Sequence, residues 1–117
     1  MSARDLGLAL MTSSMLYATE KLSEAATRLA LTSGSFQARL SAAIPYAAKA
    51  AGAKPDPAND DHKAFMKRLN DFLSRMGEVK GLQGAYQTTI SSMTPHRTKK
   101  AVEELWGLFF ESLRLEG

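Results

Sequence analysis

The sequence of 117 residues has no cysteine and only two histidines, His62 and His96. Without thiols the chain forms no disulfide, no thiolate zinc site and no cysteine nucleophile. A lack of cysteine is typical of a reducing compartment and favours a cytoplasmic location. Neither histidine has a carboxylate or a second histidine three or four residues away on its own helical face. We therefore predict no catalytic residues, no metal site, no cofactor, and a protein that is not an enzyme.

Long apolar runs and phosphate-binding motifs are missing as well. No stretch approaches the ~20 apolar residues that a membrane-spanning helix needs, so we predict no membrane span. The chain has no Gly-rich phosphate loop and no Gly-x-Ser-x-Gly or His-Glu-x-x-His motif, and no small-molecule substrate is indicated. The net charge is +3, which is a smaller excess than a domain that coats DNA usually carries.

The pattern that is present is helical from one end to the other. β-branched residues are scarce, and no run alternates polar and apolar residues as a half-buried strand does. In the first helix Leu8, Met11, Met15, Ala18 and Leu22 recur at spacings of three and four residues, which is a heptad-like seam. We predict an all-α fold, an elongated bundle of four to five helices with a long N-terminal helix. Residues 1–117 are expected to form a single helical domain with helices at about 3–31, 35–51, 59–76, 82–93 and 95–115 and a linker at 52–58.

Local signals set most of the predicted helix ends. Gly34 is placed to end the first helix, and Ser35 to cap the second. Asn59 precedes the third helix and Gly77 follows it. Thr94, followed by a proline, is a capping residue for the fifth helix.

Two segments have weaker signals. Pro45 lies within the second helix, where a proline removes a backbone hydrogen bond, so we expect the helix to kink or to split there. The fourth helix, from about Leu82, contains Gly84 and several Ser and Thr residues, which are poor helix formers. We expect it to be short or frayed.

The fifth helix begins with four groups of unfavourable sign, His96, Arg97, Lys99 and Lys100. A helix N-terminus carries partial positive charge and favours acidic residues, as the third helix has in its first turn. We interpret the four residues as contacts for an anion or an acidic partner. The alternative is that they are simply solvated, because exposed charges at a helix end change stability by only ~0.3–1 kcal/mol.

The same helix has an unusually wide apolar face. An arc of roughly 140° is predicted to face the core, and it contains Val102, Leu105, Trp106, Phe109, Phe110 and Leu113. A flanking stripe of Ala101, Leu108 and Leu115 widens the apolar arc past roughly 200°. Such a helix is either central to the fold or part of an interface, and we favour the interface. The predicted partner-binding residues are Ala101, Leu105, Trp106, Leu108 and Leu115.

These observations lead to two functional hypotheses. The first is a small non-catalytic protein-binding module, such as an adaptor, an inhibitor or an assembly subunit, that acts through the apolar fifth helix and its cationic start. Self-association as a homodimer through the same surface is a close variant. The second is a small basic helical protein that binds nucleic acid, in which the cations of the fifth helix join Lys49, Lys54, Arg68 or Lys80.

Overall fold

In the part of the chain that the structure describes, the protein is a bundle of five α-helices, as predicted for an all-α fold. The computed structural model describes the backbone of residues 3–54, 56–77 and 85–116, and the side chains of 15–54, 56–77, 86 and 89–115. All regular secondary structure in these ranges is helical. The helices are α1 (Ala3–Leu31), α2 (Phe36–Ala50), α3 (Asp60–Arg75), α4 (Ala85–Ser92) and α5 (Pro95–Glu116).

The helix ends follow the predicted local signals. The Ser35 hydroxyl accepts a hydrogen bond from the Ala38 amide at 3.2 Å, and the Thr94 hydroxyl accepts one from the Arg97 amide at 3.2 Å. Asn59 caps α3 in the same way. Gly34 and Gly77 have φ of 109° and 97°, the left-handed region in which a glycine ends a helix at little cost. Short-range chemistry therefore sets these boundaries.

Two helices differ in detail from the prediction. α2 is continuous through Pro45, and Pro45 is exposed. Because the proline faces solvent, the carbonyl of Ser41 that loses its intrahelical bond lies on a side that water can reach. α4 begins at Ala85 rather than at Leu82. Leu82, Gly84 and the predicted loop at 78–81 lie outside the described residues.

Helix α1 packs along α2 and α5, and these three helices contact one another. α4 lies against α2, and α3 lies against α5 and α2. The Gln37 side-chain amide donates to the Met93 carbonyl at 2.9 Å, so α5 begins near the start of α2. α5 therefore starts at the end of the bundle where α1 finishes, and runs back along it.

Two ion pairs join α3 to α5 in an antiparallel arrangement. Arg68 bonds to Glu111, with Nε to Oε2 at 3.2 Å, and Arg75 bonds to Glu104, with Nη1 to Oε2 at 3.1 Å. Each guanidinium uses two nitrogens, a geometry that fixes direction as well as distance. The hydrogen bonds to Glu104 raise the pKa of the Arg75 guanidinium above its usual value.

The bundle measures 51 × 28 × 21 Å and is elongated, as predicted. The expectation that the first helix is the longest stays a prediction, because only 17 residues of α1 are described in full and α5 has 22. Leu8 and Met11 of the predicted seam lie outside the residues with described side chains, whereas Met15, Ala18 and Leu22 are buried. Over the described part of the chain, no helix is both long and apolar enough to cross a membrane.

Candidate functional site

The face of α5 that is buried differs from the predicted one. The buried residues of this helix are Thr98, Ala101, Val102, Leu105, Leu108 and Ser112. Phe110 and Leu113, which were predicted to face the core, are 58% and 45% exposed. At 100° per residue, the buried arc is rotated by roughly 70° from the predicted arc. Phe110 and Leu113 consequently face outward, whereas Trp106 and Phe109 are half-buried and pack against the core.

Two buried hydroxyls are compatible with this orientation. Thr98 donates to the Thr94 carbonyl at 2.9 Å, and Ser112 donates to the Phe109 carbonyl at 2.6 Å. Because each hydroxyl is satisfied within its own helix, it enters the core without an unpaired polar group. The ion pairs from α3 hold the same side of α5 inward.

Three predicted partner-binding residues therefore belong to the core. Ala101, Leu105 and Leu108 are at most 5% exposed, so a partner does not reach them in the folded chain. Leu115 is half-buried, and its carbonyl oxygen lies 3.3 Å from His62 Nε2, at the junction of α5 with α3. Only Trp106 of the predicted set lies on the outward side, where it is half-buried.

The outward side of α5 carries a cluster of three aromatic rings. Trp106 stacks on Phe110 with ring centroids 5.7 Å apart, and Phe109 contacts both, at 6.3 and 5.6 Å. Leu113 follows on the same side, and Leu31, 77% exposed, lies at the end of the neighbouring α1. These five residues form what we call the α1–α5 apolar surface.

A shallow groove of about 300 Å³ runs between the two helices under this surface. Trp106, Phe109 and Leu31 form its apolar wall. The α1 side is made of small residues, namely Ser23, Ala26, Thr27 and Ala30. A narrow trough with a small-residue floor and an aromatic wall is the shape into which a helix fits.

Gly107 lies next to Trp106 in the interior of α5, where a glycine costs about 0.5–1 kcal/mol relative to alanine. A Cβ added to Gly107 would meet no atom within 4 Å. Packing within the described residues therefore gives no reason for this glycine. Beside Phe110 it leaves a low point on the outer side of the helix.

The four residues at the start of α5 do not converge on one point. His96, Arg97, Lys99 and Lys100 are all exposed. At 100° per residue their side chains leave the helix in directions that span about 160° of its circumference. Lys99 points to the side of Trp106, seven residues later, and Arg97 to the opposite flank. The predicted anion contact is thus a set of separate charges.

A heptad pattern in the sequence could have revealed the buried face. Thr98, Leu105 and Ser112 are seven residues apart, and Ala101, Leu108 and Leu115 form the interleaved series. If Thr98 and Ser112 are assigned to the core, Phe110 and Leu113 lie on the solvent-exposed side of the helix. The hydropathy of two hydroxyl residues hides this pattern.

Among the described residues, no group of three or more His, Asp or Glu side chains is placed to hold a metal ion. Comparison with protein-family models, with curated protein sequences and with solved structures finds no match for this chain.

Proposed function

We propose that this chain is a non-catalytic protein-binding module, and that its α1–α5 apolar surface binds an amphipathic helix of another protein. The observation that carries the proposal is the outward position of Phe110 and Leu113 on a helix that buries two hydroxyl residues. Removing a Phe or Leu side chain from water contributes about 1.5–3 kcal/mol. Phe110 is 58% and Leu113 45% exposed, so roughly half of this contribution remains for a partner that covers both side chains.

The groove supports a helical occupant in particular. Leu16 is exposed on the side of α1 that also carries Ser23 and Thr27, and Leu31 lies at its far end. Fifteen residues of helix extend ~22 Å, so this rim of α1, which is apolar at its two ends and carries Glu20, Ser23 and Thr27 between them, matches about four turns of a partner helix.

Charge places further requirements on the partner. Lys99 is exposed on the same side of α5 as Trp106, and Glu103 follows it by one turn. A matching helix carries an acidic residue opposite Lys99 and a basic residue opposite Glu103. The expected partner segment is therefore amphipathic, about 15 residues long, and acidic at the end that meets the start of α5.

Site-specific crosslinking tests the occupant directly. A photo-reactive phenylalanine analogue replaces Phe110 in one variant and Phe36, an exposed phenylalanine on α2 that is 43% exposed, in a matched control. After irradiation in a cell lysate, the crosslinked peptide is mapped by mass spectrometry. We expect position 110, and not position 36, to capture a segment with helical apolar periodicity and an acidic end. Capture of a second copy of this chain, or equal capture from both positions, would overturn the proposal.

The captured segment, made as a synthetic peptide, then gives affinities. Phe110→Glu is expected to weaken binding by roughly 10- to 100-fold, which is the range for a central aromatic residue of an interface. Lys99→Glu is expected to weaken it by a few-fold at low salt and less at high salt. Phe36→Glu should leave the affinity unchanged. An unchanged affinity of Phe110→Glu contradicts the assignment of this surface.

A further inference from the structure

Two cations converge on one tyrosine ring on the opposite flank of α1. The Arg28 guanidinium and the Lys49 ammonium each lie 5.3 Å from the centroid of the Tyr46 ring. Arg28 Nη2 also donates a hydrogen bond to the Tyr46 hydroxyl oxygen at 3.0 Å. The two charges are no farther apart than twice the ring distance. Two like charges so placed repel each other, and a bound anion reduces that repulsion.

No carboxylate of the described residues pairs with either cation. By contrast, Arg68 and Arg75 on α3 are bound to glutamates of α5, and Lys21 and Lys63 pair with acidic residues of their own helices. Glu24, four residues before Arg28, pairs with Lys21 instead. From residue 25 to residue 55 the chain has four cationic residues, Arg28, Arg39, Lys49 and Lys54, and no Asp or Glu.

The cationic region extends along α2. Arg39 precedes Tyr46 by seven residues, so the two lie on the same side of the helix. The Arg39 Nε atom is buried and has no hydrogen-bond partner among the described residues. Arg39 and Lys49 are ten residues apart, which corresponds to ~15 Å along the helix axis. This length exceeds the reach of a single phosphate, whereas a nucleic-acid strand carries successive phosphates along its backbone.

We propose that Arg28, Arg39 and Lys49 bind the phosphate backbone of a nucleic-acid strand, with Tyr46 holding Arg28 and Lys49 in position. Both cations already lie over the Tyr46 ring, so the site offers charge to phosphates rather than a free ring to a base. Recognition is accordingly independent of base sequence. The site lies on α1 and α2, away from the start of α5, and the proposal does not rest on the protein-binding function of the α1–α5 apolar surface.

Salt-dependent affinity for an oligonucleotide tests this site. Fluorescence anisotropy measures binding of a labelled 20-nucleotide oligothymidine to the full chain at several KCl concentrations. Each phosphate neutralised on a single strand contributes about 0.7 to the slope of log K against log salt. We expect the double variant Arg28→Gln, Lys49→Gln to lower affinity at 50 mM KCl by at least tenfold and to reduce the slope by about 1.4.

Three further variants make the result specific. Lys63→Gln with Lys67→Gln removes the same charge from α3 and should leave the slope unchanged. Arg28→Lys with Lys49→Arg keeps both charges and should retain binding. This variant distinguishes a loss of charge from a loss of folding as the cause of weaker binding. Replacing Arg97, Lys99 and Lys100 by Gln should have the smaller effect. The proposal is overturned if only this last variant reduces the slope, or if the α1–α2 double variant binds as the parent does.

Competition identifies the source of the phosphate. Unlabelled oligothymidine should displace the probe at micromolar concentration, whereas inorganic phosphate at millimolar concentration should not. Full displacement by inorganic phosphate would mean a site for one anion rather than for a strand. Binding to vesicles that contain phosphatidylserine, without binding to the oligonucleotide, would assign the surface to membranes and would also overturn the proposal.

Discussion

Leu108 and Phe110 lie two residues apart on α5, and their surroundings are opposite. Leu108 is 5% exposed against α3, and Phe110 is 58% exposed on the outer side. Hydrophobicity does not distinguish them, since both side chains are large and apolar. The distinction follows from the orientation of α5, in which Thr98 and Ser112, with internally bonded hydroxyls, occupy core positions in the same heptad series as Leu105.

The two residues should therefore respond differently to truncation. Leu108→Ala removes buried methyl groups and leaves a cavity, and we expect it to lower the free energy of unfolding by about 2–4 kcal/mol. Phe110→Ala removes mostly exposed surface and should lower it by less than about 1 kcal/mol. Urea unfolding followed by circular dichroism measures both. Equal losses, or a larger loss for Phe110→Ala, would place α5 in the orientation that the apolar arc alone predicts.

At the scale of elements, the junction of α3 and α5 depends on two repeated spacings. Arg68 and Arg75 are seven residues apart, and so are Glu104 and Glu111. In an antiparallel pair of helices, these equal spacings place each arginine opposite one glutamate, Arg68 opposite Glu111 and Arg75 opposite Glu104. The pairs are partly exposed, with side-chain exposures of 56% and 39% for Arg75 and Glu104. Such pairs contribute modestly to stability and strongly to register.

A double-mutant cycle measures the contribution of one pair. We expect Arg75→Gln, Glu104→Gln and the double variant to give a coupling free energy of about 0.5–1 kcal/mol in low salt, since both side chains are partly solvated. In 1 M NaCl the coupling should fall towards zero. Lys63 with Asp60, an exposed pair within α3, serves as a control with weaker coupling. Coupling that is absent in low salt would mean that the apolar contacts of Leu108 alone hold α3 against α5.

The helix ends were predictable because they depend on neighbouring residues. Gly34, Ser35, Asn59, Gly77 and Thr94 act over a few residues of chain, and each acts as the sequence indicates. Which side of a helix turns inward depends on the other helices. The rotation of α5 relative to the predicted orientation reflects its contact with α3. The hydropathy of α5 alone does not predict this contact.

The cationic cluster was harder to predict for the same reason. Arg28 and Tyr46 are 18 residues apart and meet only because α1 and α2 pack together. The signal that the sequence does contain is the absence of acidic residues from 25 to 55. The positive residues at the start of α5 attract attention first, because they are adjacent in the chain. Folding spreads those residues apart and brings Arg28 and Lys49 together over one ring.

At the scale of the whole molecule, α1 separates two surfaces of different chemistry. Thr27 lines the groove next to α5, and its neighbour Arg28 reaches Tyr46 on α2. Successive residues of a helix point about 100° apart, so one turn of α1 serves both sides. A partner helix on the α1–α5 apolar surface leaves the cationic side uncovered. The two proposed ligands therefore do not compete for the same surface. Variants of Phe110 test the protein-binding proposal, and variants of Arg28 and Lys49 test the phosphate-binding proposal.

The elongated shape supplies a test of the oligomeric state that the protein-binding proposal requires. A spherical chain of this length has a radius of gyration of ~13 Å, whereas the structure gives 15.1 Å. Small-angle X-ray scattering over a concentration series should yield the mass of one chain and a radius near the value of the structure. Phe110→Glu should change neither the mass nor the radius, because the proposed partner of the apolar surface is a different protein and not a second copy of this chain. A doubled mass that Phe110→Glu restores to one chain would show that a second copy occupies the surface, and would overturn the proposed partner while leaving the phosphate site untouched.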